Sequence, residues 1–128
     1  MQVGFIGPGA MGLPMTRHLV EAGHALTLAS RSRPPIDAAV AFRAKEGRDP
    51  EAVVRASDVT ILCLPSSPHV IDVLDTAMLA LGPNKIVVDT STIDPEVERA
   101  QHERVGATGR ATSKHRCREG PPVRRRAP

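Results

Sequence analysis

A glycine-rich turn directly follows the first apolar segment and constrains the fold more than any other feature. Residues 2–6, QVGFI, predict a short strand, and GPGAMG then places Gly7, Gly9 and Gly12 in the spacing G-x-G-x-x-G. Residues 11–23 predict a helix. Between a strand and a helix, this spacing is typical of turns whose backbone approaches the pyrophosphate of a dinucleotide. A glycine-rich turn that binds nothing is the alternative interpretation, and the strand-to-helix context favours the first.

Strands and helices alternate along the rest of the chain, which predicts an α/β fold. Strands are expected at 25–30, 59–65 and 85–92, and helices at 36–45, 48–58, 67–81 and 94–104. Asp49 and Asp94 each precede a proline and are the expected N-caps. We predict a Rossmann-type doubly wound parallel sheet, incomplete, over residues 1–104, followed by a disordered basic tail over 105–128.

The end of the second predicted strand indicates which dinucleotide is bound. A turn specific for NAD carries an acidic residue about 20 positions after the glycines, where it binds the ribose 2′-hydroxyl. This chain has ASRSR there, and no acidic residue follows before Asp37. Ser30 and Ser32 can donate hydrogen bonds to a 2′-phosphate, and Arg31 or Arg33 can neutralise it. NADP is therefore favoured, NAD is the second choice, and a solvated basic turn is the alternative interpretation.

Composition limits the compartment and the kinds of site. Two cysteines, Cys63 and Cys117, form no disulfide framework, which favours the reducing cytoplasm. Cys63 lies in the apolar run VTILCLP and is expected to be a buried thiol. The apolar runs are too short to span a bilayer and the N-terminus lacks the basic flank of a signal peptide, so no membrane partner is expected. No second His or Cys stands near His69 at a ligand spacing, so no metal site is expected.

Charge is distributed unevenly along the chain. Residues 1–98 carry a balance of −4, whereas residues 99–128 carry +7. Such asymmetry can mark an arm that binds nucleic acid, or a segment that does not belong to the fold. The basic segment has no aromatic residue for stacking on bases, so a nucleic-acid partner is disfavoured.

Three motifs together resemble a known family. In chain order they are GFIGPGAMGLPMTRHLVEAGH, ILCLPSSPHV and VVDTSTIDP, and the resemblance covers residues 1–104. The chain is similar to the β-hydroxyacid dehydrogenases, which include 3-hydroxyisobutyrate dehydrogenase and tartronate semialdehyde reductase and are related to 6-phosphogluconate dehydrogenase. The resemblance implies a Rossmann domain followed by a helical domain that dimerises. It also implies hydride transfer between NAD(P) and a small 3-hydroxy acid or semialdehyde.

The resemblance also implies roles for individual residues. Ser91 would contact the substrate carboxylate. The residues implied to bind the cofactor are Phe5, Ile6, Gly7, Pro8, Gly9, Ala10, Met11 and Gly12 at the pyrophosphate and Leu64, Pro65, Ser66 and Thr92 at the nicotinamide end, in addition to Ser30, Arg31 and Ser32. The alternative interpretation is structural, since CLPSSP is also a good strand exit and DTSTIDP a good capped turn. The family's short strand after the second helix falls on AKEGRDP, which is almost without apolar residues, so that strand is expected to be missing or distorted.

The basic tail departs from the family. After DTSTIDP and its helix, the family has a further strand and a substrate loop that resemble DAPVSGG and, later, a catalytic lysine on the first helix of the second domain. The lysines of this chain are Lys45, Lys85 and Lys114, and none has a matching context, so we expect no catalytic residue and no turnover. Residues 111–128 read out of frame permit DVEAPVSGG, which resembles the missing loop. We therefore interpret residues 105–128 as an out-of-frame translation and the chain as a truncated dehydrogenase that lacks the dimerisation domain.

Two alternatives stay open at the level of sequence. The chain can be a separate dinucleotide-binding module whose basic tail binds an acidic partner or nucleic acid. A separately encoded helical domain can also assemble with the chain and restore the lysine.

Overall fold

The computed structural model of the chain describes residues 1–107 and the backbone of residues 111–114. Six parallel strands in this part form one sheet in the order β3-β2-β1-β4-β5-β6. The strands are β1 Gln2–Ile6, β2 Ala25–Ala29, β3 Lys45–Glu46, β4 Val59–Leu62, β5 Ile86–Asp89 and β6 Ala111–Lys114. The strand order reverses between β1 and β4, as in a doubly wound Rossmann-type sheet, so the predicted fold class is confirmed.

Five α-helices connect these strands. They are α1 Gly12–Glu21, α2 Arg33–Ala41, α3 Pro50–Ala56, α4 Ser67–Ala77 and α5 Pro95–Gly106. Helix α2 begins three residues before the expected start at residue 36, so Pro34 and Pro35 lie in its first turn, where proline is tolerated because those N–H groups have no partner within the helix. The single helix expected over 67–81 is α4 followed by a short 3-10 helix, Met78–Ala80.

The helices cover the sheet from both faces. Right-handed crossovers place α1 and α2 on one face and α3, α4 and α5 on the other. On the first face, Phe5 and Leu28 are completely buried against Ile36 of α2. On the second face, Leu62 packs among side chains of α3 and α4 that include Val70. Strands β1 and β4 thus lie between the hydrophobic cores of the two faces, and this packing fixes the positions of their carboxyl ends.

Both predicted N-caps are confirmed. The Asp49 carboxylate accepts a hydrogen bond of 2.8 Å from the N–H of Ala52 at the start of α3. That bond, aided by a hydrogen bond from Arg48, holds the pKa of Asp49 below its ordinary value. Asp94 accepts a bond of 2.8 Å from the N–H of Glu96 at the start of α5. Each cap thus fixes the start of the helix that follows the carboxyl end of a strand, β3 for α3 and β5 for α5.

Two local features differ from the sequence-based expectation. The edge strand expected to be missing or distorted is present, but β3 has only two residues, both exposed and paired with Thr27 and Leu28 of β2. Cys63 is a free thiol, as expected, but it is half-buried rather than buried. It lies just past the end of β4, where it packs at the margin of the first-face core.

The region around the predicted domain boundary contains regular structure. Helix α5 continues past residue 104 to Gly106. Strand β6 is parallel to β5, with Ala111 opposite Ile86 at one end and Lys114 opposite Asp89 at the other. Four residues of the expected tail therefore form a strand, because β5 offers an unpaired row of backbone groups to an extended segment. Residues 108–110 and 115–128 lie outside the described residues. The boundary at residue 104 and the out-of-frame interpretation stay predictions.

Lys85 holds the end of α3 against the sheet. Its Nζ donates hydrogen bonds to the backbone carbonyls of Val54, Arg55 and Ser57 at 2.9, 3.0 and 2.6 Å. The last carbonyls of a helix lack partners within the helix, and a cation there is favoured by the helix dipole. The ammonium group thus acts as the C-cap of α3 and joins this helix to β5.

Replacement of Lys85 by methionine is expected to lower the free energy of unfolding by about 1–3 kcal/mol, since part-buried carbonyls lose a charged donor. Chemical denaturation followed by far-UV circular dichroism measures this change. The matched control is Lys45→Met, because Lys45 is exposed on the short edge strand. Equal effects of the two substitutions would contradict the capping role.

Candidate functional site

The carboxyl ends of β1 and β4 face a crevice at the point where the strand order reverses. In open α/β sheets, this switch point is where ligands bind. The glycine turn connects β1 to α1 on one side of the crevice. The segments that follow β4 and β5 lie on the other side, and the turn after β2 closes one end. Of the site residues predicted from sequence, Phe5 and Ile6 are the last two residues of β1, and the others belong to these four segments.

The three glycines of the turn have different surroundings. Gly7 has a φ of +85°, and a Cβ there would lie 2.5 Å from the carbonyl oxygen of Cys63. At Gly12 a Cβ would lie 2.9 Å from the ring of Phe5. No atom lies within 4 Å of the position that a Cβ would take at Gly9. Packing therefore requires Gly7 and Gly12, whereas the fold itself does not require glycine at position 9.

The predicted pyrophosphate residues divide into a buried and an exposed group. Phe5, Ile6 and Pro8 are buried, so their side chains support the turn from below. Gly9, Ala10 and Met11 are exposed, and the Met11 side chain is 81% accessible. Met11 is the N-cap of α1 and its side chain makes no capping hydrogen bond. The N-terminus of α1 therefore presents backbone N–H groups and a positive dipole end to the crevice.

The turn after β2 carries two arginines with different contacts. Arg33 donates to Asp37 at 2.9 Å and to Glu46 at 2.7 Å, and these bonds raise its pKa above the ordinary value. Arg31 instead extends towards α4, where its Nη2 lies 3.9 Å from a carboxylate oxygen of Asp72. The sequence allowed either arginine to neutralise a 2′-phosphate, and the structure shows that the two differ in their ion-pair partners.

The serines of this turn keep donor capacity. The Ser30 hydroxyl oxygen accepts a hydrogen bond of 3.2 Å from the N–H of Ser32, and its own hydrogen is not used in that bond. Ser32 is exposed and is the N-cap of α2, with no capping bond from its side chain. Both hydroxyls can therefore donate to an anion that lies over the turn.

Ser91 connects the segments after β4 and β5. Its hydroxyl oxygen accepts a hydrogen bond of 2.8 Å from the N–H of Leu64, and its own N–H donates 2.8 Å to the carboxylate of Asp89. Thr90 donates from its hydroxyl to the carbonyl of Leu62 at 2.7 Å. The hydroxyl hydrogen of Ser91 is not used in the bond from Leu64, so it is available to a ligand.

A contact at the start of α4 was not predicted from the sequence. The Ser66 hydroxyl and Nδ1 of His69 lie 2.5 Å apart, and both residues are half-buried. Ser66 is the N-cap of α4, and the i, i+3 spacing of His69 from it is the signal that could have indicated this contact. Pro65 and Thr92 are exposed nearby, and Leu64 is half-buried. The structure thus brings the predicted nicotinamide-end residues to one edge and adds His69 to them.

No group of three or more His, Cys, Asp or Glu side chains in residues 1–107 is arranged to hold a metal ion. None of the helices described is long and apolar enough to cross a membrane.

Replacement of Ser91 by alanine is expected to lower the free energy of unfolding by about 1–2 kcal/mol, because the part-buried N–H of Leu64 loses its acceptor. Thr92→Ala removes an exposed hydroxyl next to it and is expected to change stability by less than about 0.5 kcal/mol. Urea titration of the two variants measures the difference. A Ser91→Ala variant as stable as the wild type would contradict the cross-connection.

The fold and the glycine turn define the class of α/β domains that bind dinucleotides. Comparison with known proteins identifies the family within this class. The sequence model of the NAD binding domain of 6-phosphogluconate dehydrogenase matches residues 2–112. The chain belongs to this family, and it is an NAD(P)-binding domain of the hydroxyacid dehydrogenase type.

Individual relatives agree with this assignment. The chain is 39% identical over 102 residues to a probable mitochondrial 3-hydroxyisobutyrate dehydrogenase of Arabidopsis thaliana, covering 76% of the chain and 29% of that protein. It is 36% identical over 104 residues to an NAD-dependent L-serine dehydrogenase of Pseudomonas aeruginosa, covering 79% and 35%. The chain thus spans about a third of the length of these relatives.

A solved structure shows the same fold. The 3-hydroxyisobutyrate dehydrogenase of Mycobacterium tuberculosis, determined with L-serine, superposes with a TM-score of 0.82 at 30% identity. The superposition covers 88% of this chain and 38% of that one. The resemblance to the β-hydroxyacid dehydrogenases that the three motifs indicated is therefore confirmed.

Proposed function

We propose that this domain binds NADP in the crevice at the carboxyl ends of β1 and β4. The observation that carries the proposal is the open space above Gly9, since packing explains the other two glycines but not this one. A pyrophosphate needs close approach to the backbone at this position, and the N-terminus of α1 faces it. When bound, the nicotinamide donates or accepts hydride. The protein's own residues would bind the cofactor and orient it.

Each part of the cofactor has candidate ligands on the site's four segments. The backbone from Gly9 to Gly12 would hold the pyrophosphate. Leu64, Pro65, Ser66 and Thr92 would lie along the nicotinamide end, as the family resemblance implies. In support, the His69 contact fixes the Ser66 side chain, and the bond to Ser91 fixes the backbone of Leu64.

The preference for NADP over NAD rests on the turn after β2. Ser30 and Ser32 keep hydroxyl donors, and the Arg31 side chain is 73% exposed. Arg33 is already held by two carboxylates, so the 2′-phosphate would pair with Arg31 rather than with Arg33. A phosphate monoester is close to doubly charged at neutral pH, which makes one accessible guanidinium a specific partner. The named Pseudomonas relative is NAD-dependent, so this turn is where the two proteins are expected to differ.

The substrate class follows from the family and from Ser91. We assign a small 3-hydroxy acid or the corresponding semialdehyde to the complete enzyme, with the Ser91 hydroxyl donating to the substrate carboxylate. Its oxygen accepts from the N–H of Leu64, so its hydrogen is not used in that bond and can be donated to the carboxylate. A half-buried free thiol at Cys63 is compatible with a reducing compartment, and we place the protein in the cytoplasm.

Replacement of Gly9 by valine is expected to weaken NADPH binding at least tenfold without lowering the melting temperature, because the new side chain fills only the ligand's space. NADPH fluorescence measures this directly, since the chain contains no Trp or Tyr to interfere. The matched control is Gly82→Val, because Gly82 also has no atom within 4 Å of a Cβ and lies far from the crevice. Unchanged affinity in Gly9→Val, or equal loss in both variants, would contradict the proposed site.

We further propose that residues 1–128 alone do not turn over substrate. The Lys85 ammonium is bound to three backbone carbonyls, and Lys45 lies at the opposite edge of the sheet from β5, so neither is placed to exchange a proton with a substrate oxygen. The backbone of Lys114 pairs with Asp89 at the end of β6, and its sequence context does not match that of the family's catalytic lysine. We therefore expect no NADPH oxidation above background with a panel of small semialdehydes. A steady rate that disappears in Gly9→Val would show that the domain is active.

A further inference from the structure

Arg31 is the arginine of the β2–α2 turn that reaches across the crevice. Arg33 is held within its own half of the sheet by Asp37 and Glu46. The Arg31 guanidinium instead lies 3.9 Å from the carboxylate of Asp72. Asp72 belongs to α4, the helix that follows β4. In the same turn, Arg33 therefore pairs with neighbouring elements on its own side of the sheet, whereas the partner of Arg31 lies on the other side of the switch point.

The position of this ion pair relates it to the proposed cofactor site. Strands β2 and β4 are the two neighbours of β1 in the sheet. A contact between the turn after β2 and the helix after β4 consequently bridges the carboxyl end of β1, where the glycine turn begins. A dinucleotide that lies over the glycine turn with its adenosine half towards β2 must enter beside this pair. Asp72 is thus a negative charge within reach of the group that would hold a 2′-phosphate.

We propose that Asp72 is a specificity-determining residue that reduces the preference of this domain for NADP over NAD. The inference rests on the proposed function and adds a residue to it. Asp72 acts in two ways, since its carboxylate competes with the 2′-phosphate for Arg31 and repels the phosphate through space. NAD carries a hydroxyl at that place, so its binding requires neither displacement of the pair nor approach of a second anion.

The expected size of the effect follows from the exposure of the two side chains. Arg31 and Asp72 are 73% and 68% exposed, so water and salt screen the pair and NADP can displace it. A competing interaction of that strength, added to repulsion of a phosphate with nearly two charges, changes a dissociation constant about three- to tenfold. Asp72 therefore tunes the selectivity of the turn and does not prevent NADP binding.

The test compares Asp72→Asn with a variant that makes the same change of charge nearby. Asp75 lies one turn further along α4, is similarly exposed and pairs with Arg104 of α5 instead of the β2 turn. NADP⁺ and NAD⁺ are titrated by calorimetry into the full chain as wild type, Asp72→Asn, Asp75→Asn and Arg31→Gln. Circular dichroism confirms that each variant is folded.

Asp72→Asn is expected to raise the ratio of the NAD⁺ to the NADP⁺ dissociation constant about three- to tenfold, through tighter NADP⁺ binding. Asp75→Asn is expected to change the ratio less than about twofold, and Arg31→Gln to lower it. In 0.5 M NaCl the Asp72→Asn effect should shrink, because it is electrostatic.

The outcomes separate the inference from the proposed function. If both dinucleotides bind and Asp72→Asn leaves the ratio unchanged, or if Asp75→Asn changes it equally, the role of Asp72 is wrong while the cofactor site stands. An effect that persists undiminished in high salt would likewise overturn the electrostatic role. If the folded wild type binds neither dinucleotide, the proposed function and the inference both fail.

Discussion

The rest of the structure depends on the close approach of the glycine turn to the end of β4. At Gly7 the backbone takes a left-handed conformation and lies against the carbonyl of Cys63, at a distance that leaves no room for a Cβ. The N–H of Cys63 in turn donates to the carbonyl of Ile6 at 3.0 Å, so β1 and β4 stay paired up to the turn. This contact fixes where the chain can leave the sheet and where α1 can begin. The crevice therefore arises from backbone packing before any side chain of the site is considered.

Hydrogen bonds between segments make the opposite wall of the crevice rigid. The side chain of Ser91 holds Leu64, Thr90 holds Leu62, and the Ser67 hydroxyl accepts from the N–H of Asp94 at 3.1 Å. These bonds join residues 27 or 28 positions apart, so they tie the starts of α4 and α5 to the ends of β4 and β5. A site held in this way keeps its donors in position before a ligand arrives, which lowers the ordering cost of binding.

The sequence predicted the features that depend on local chemistry. The strand–glycine–helix pattern and the capping Asp49 and Asp94 each involve only a few consecutive residues, and the structure agrees with them. The extent of α2 was not predicted, because Pro34 and Pro35 suit a turn as well as a first helical turn. Strand β6 was missed because ATSK shows no apolar alternation and owes its conformation to the edge of β5.

Contacts between distant segments could not be predicted from one sequence. Arg31 and Asp72 are 41 positions apart, and nothing in either segment distinguishes them from other exposed charges. The pairing of Arg33 with Glu46 could not be predicted either, because Glu46 belongs to the two-residue edge strand β3, which the sequence did not indicate. The Ser66–His69 contact, by contrast, lies within one helical turn and could have been inferred from the capping position.

Arg31 and Arg33 have different partners, which explains how one short turn can contribute both to the fold and to the proposed cofactor selectivity. Arg33 has two carboxylate partners, one on α2 and one on β3, and these partners keep the small edge strand beside the helix. Arg31 has one exposed partner on a helix that packs elsewhere, so its loss leaves that edge intact. An exposed residue whose one ion-pair partner is also exposed can change at little cost to the fold. Selectivity at the β2 turn of this chain can therefore be altered by substitution while Arg33 and the glycine turn keep the framework unchanged.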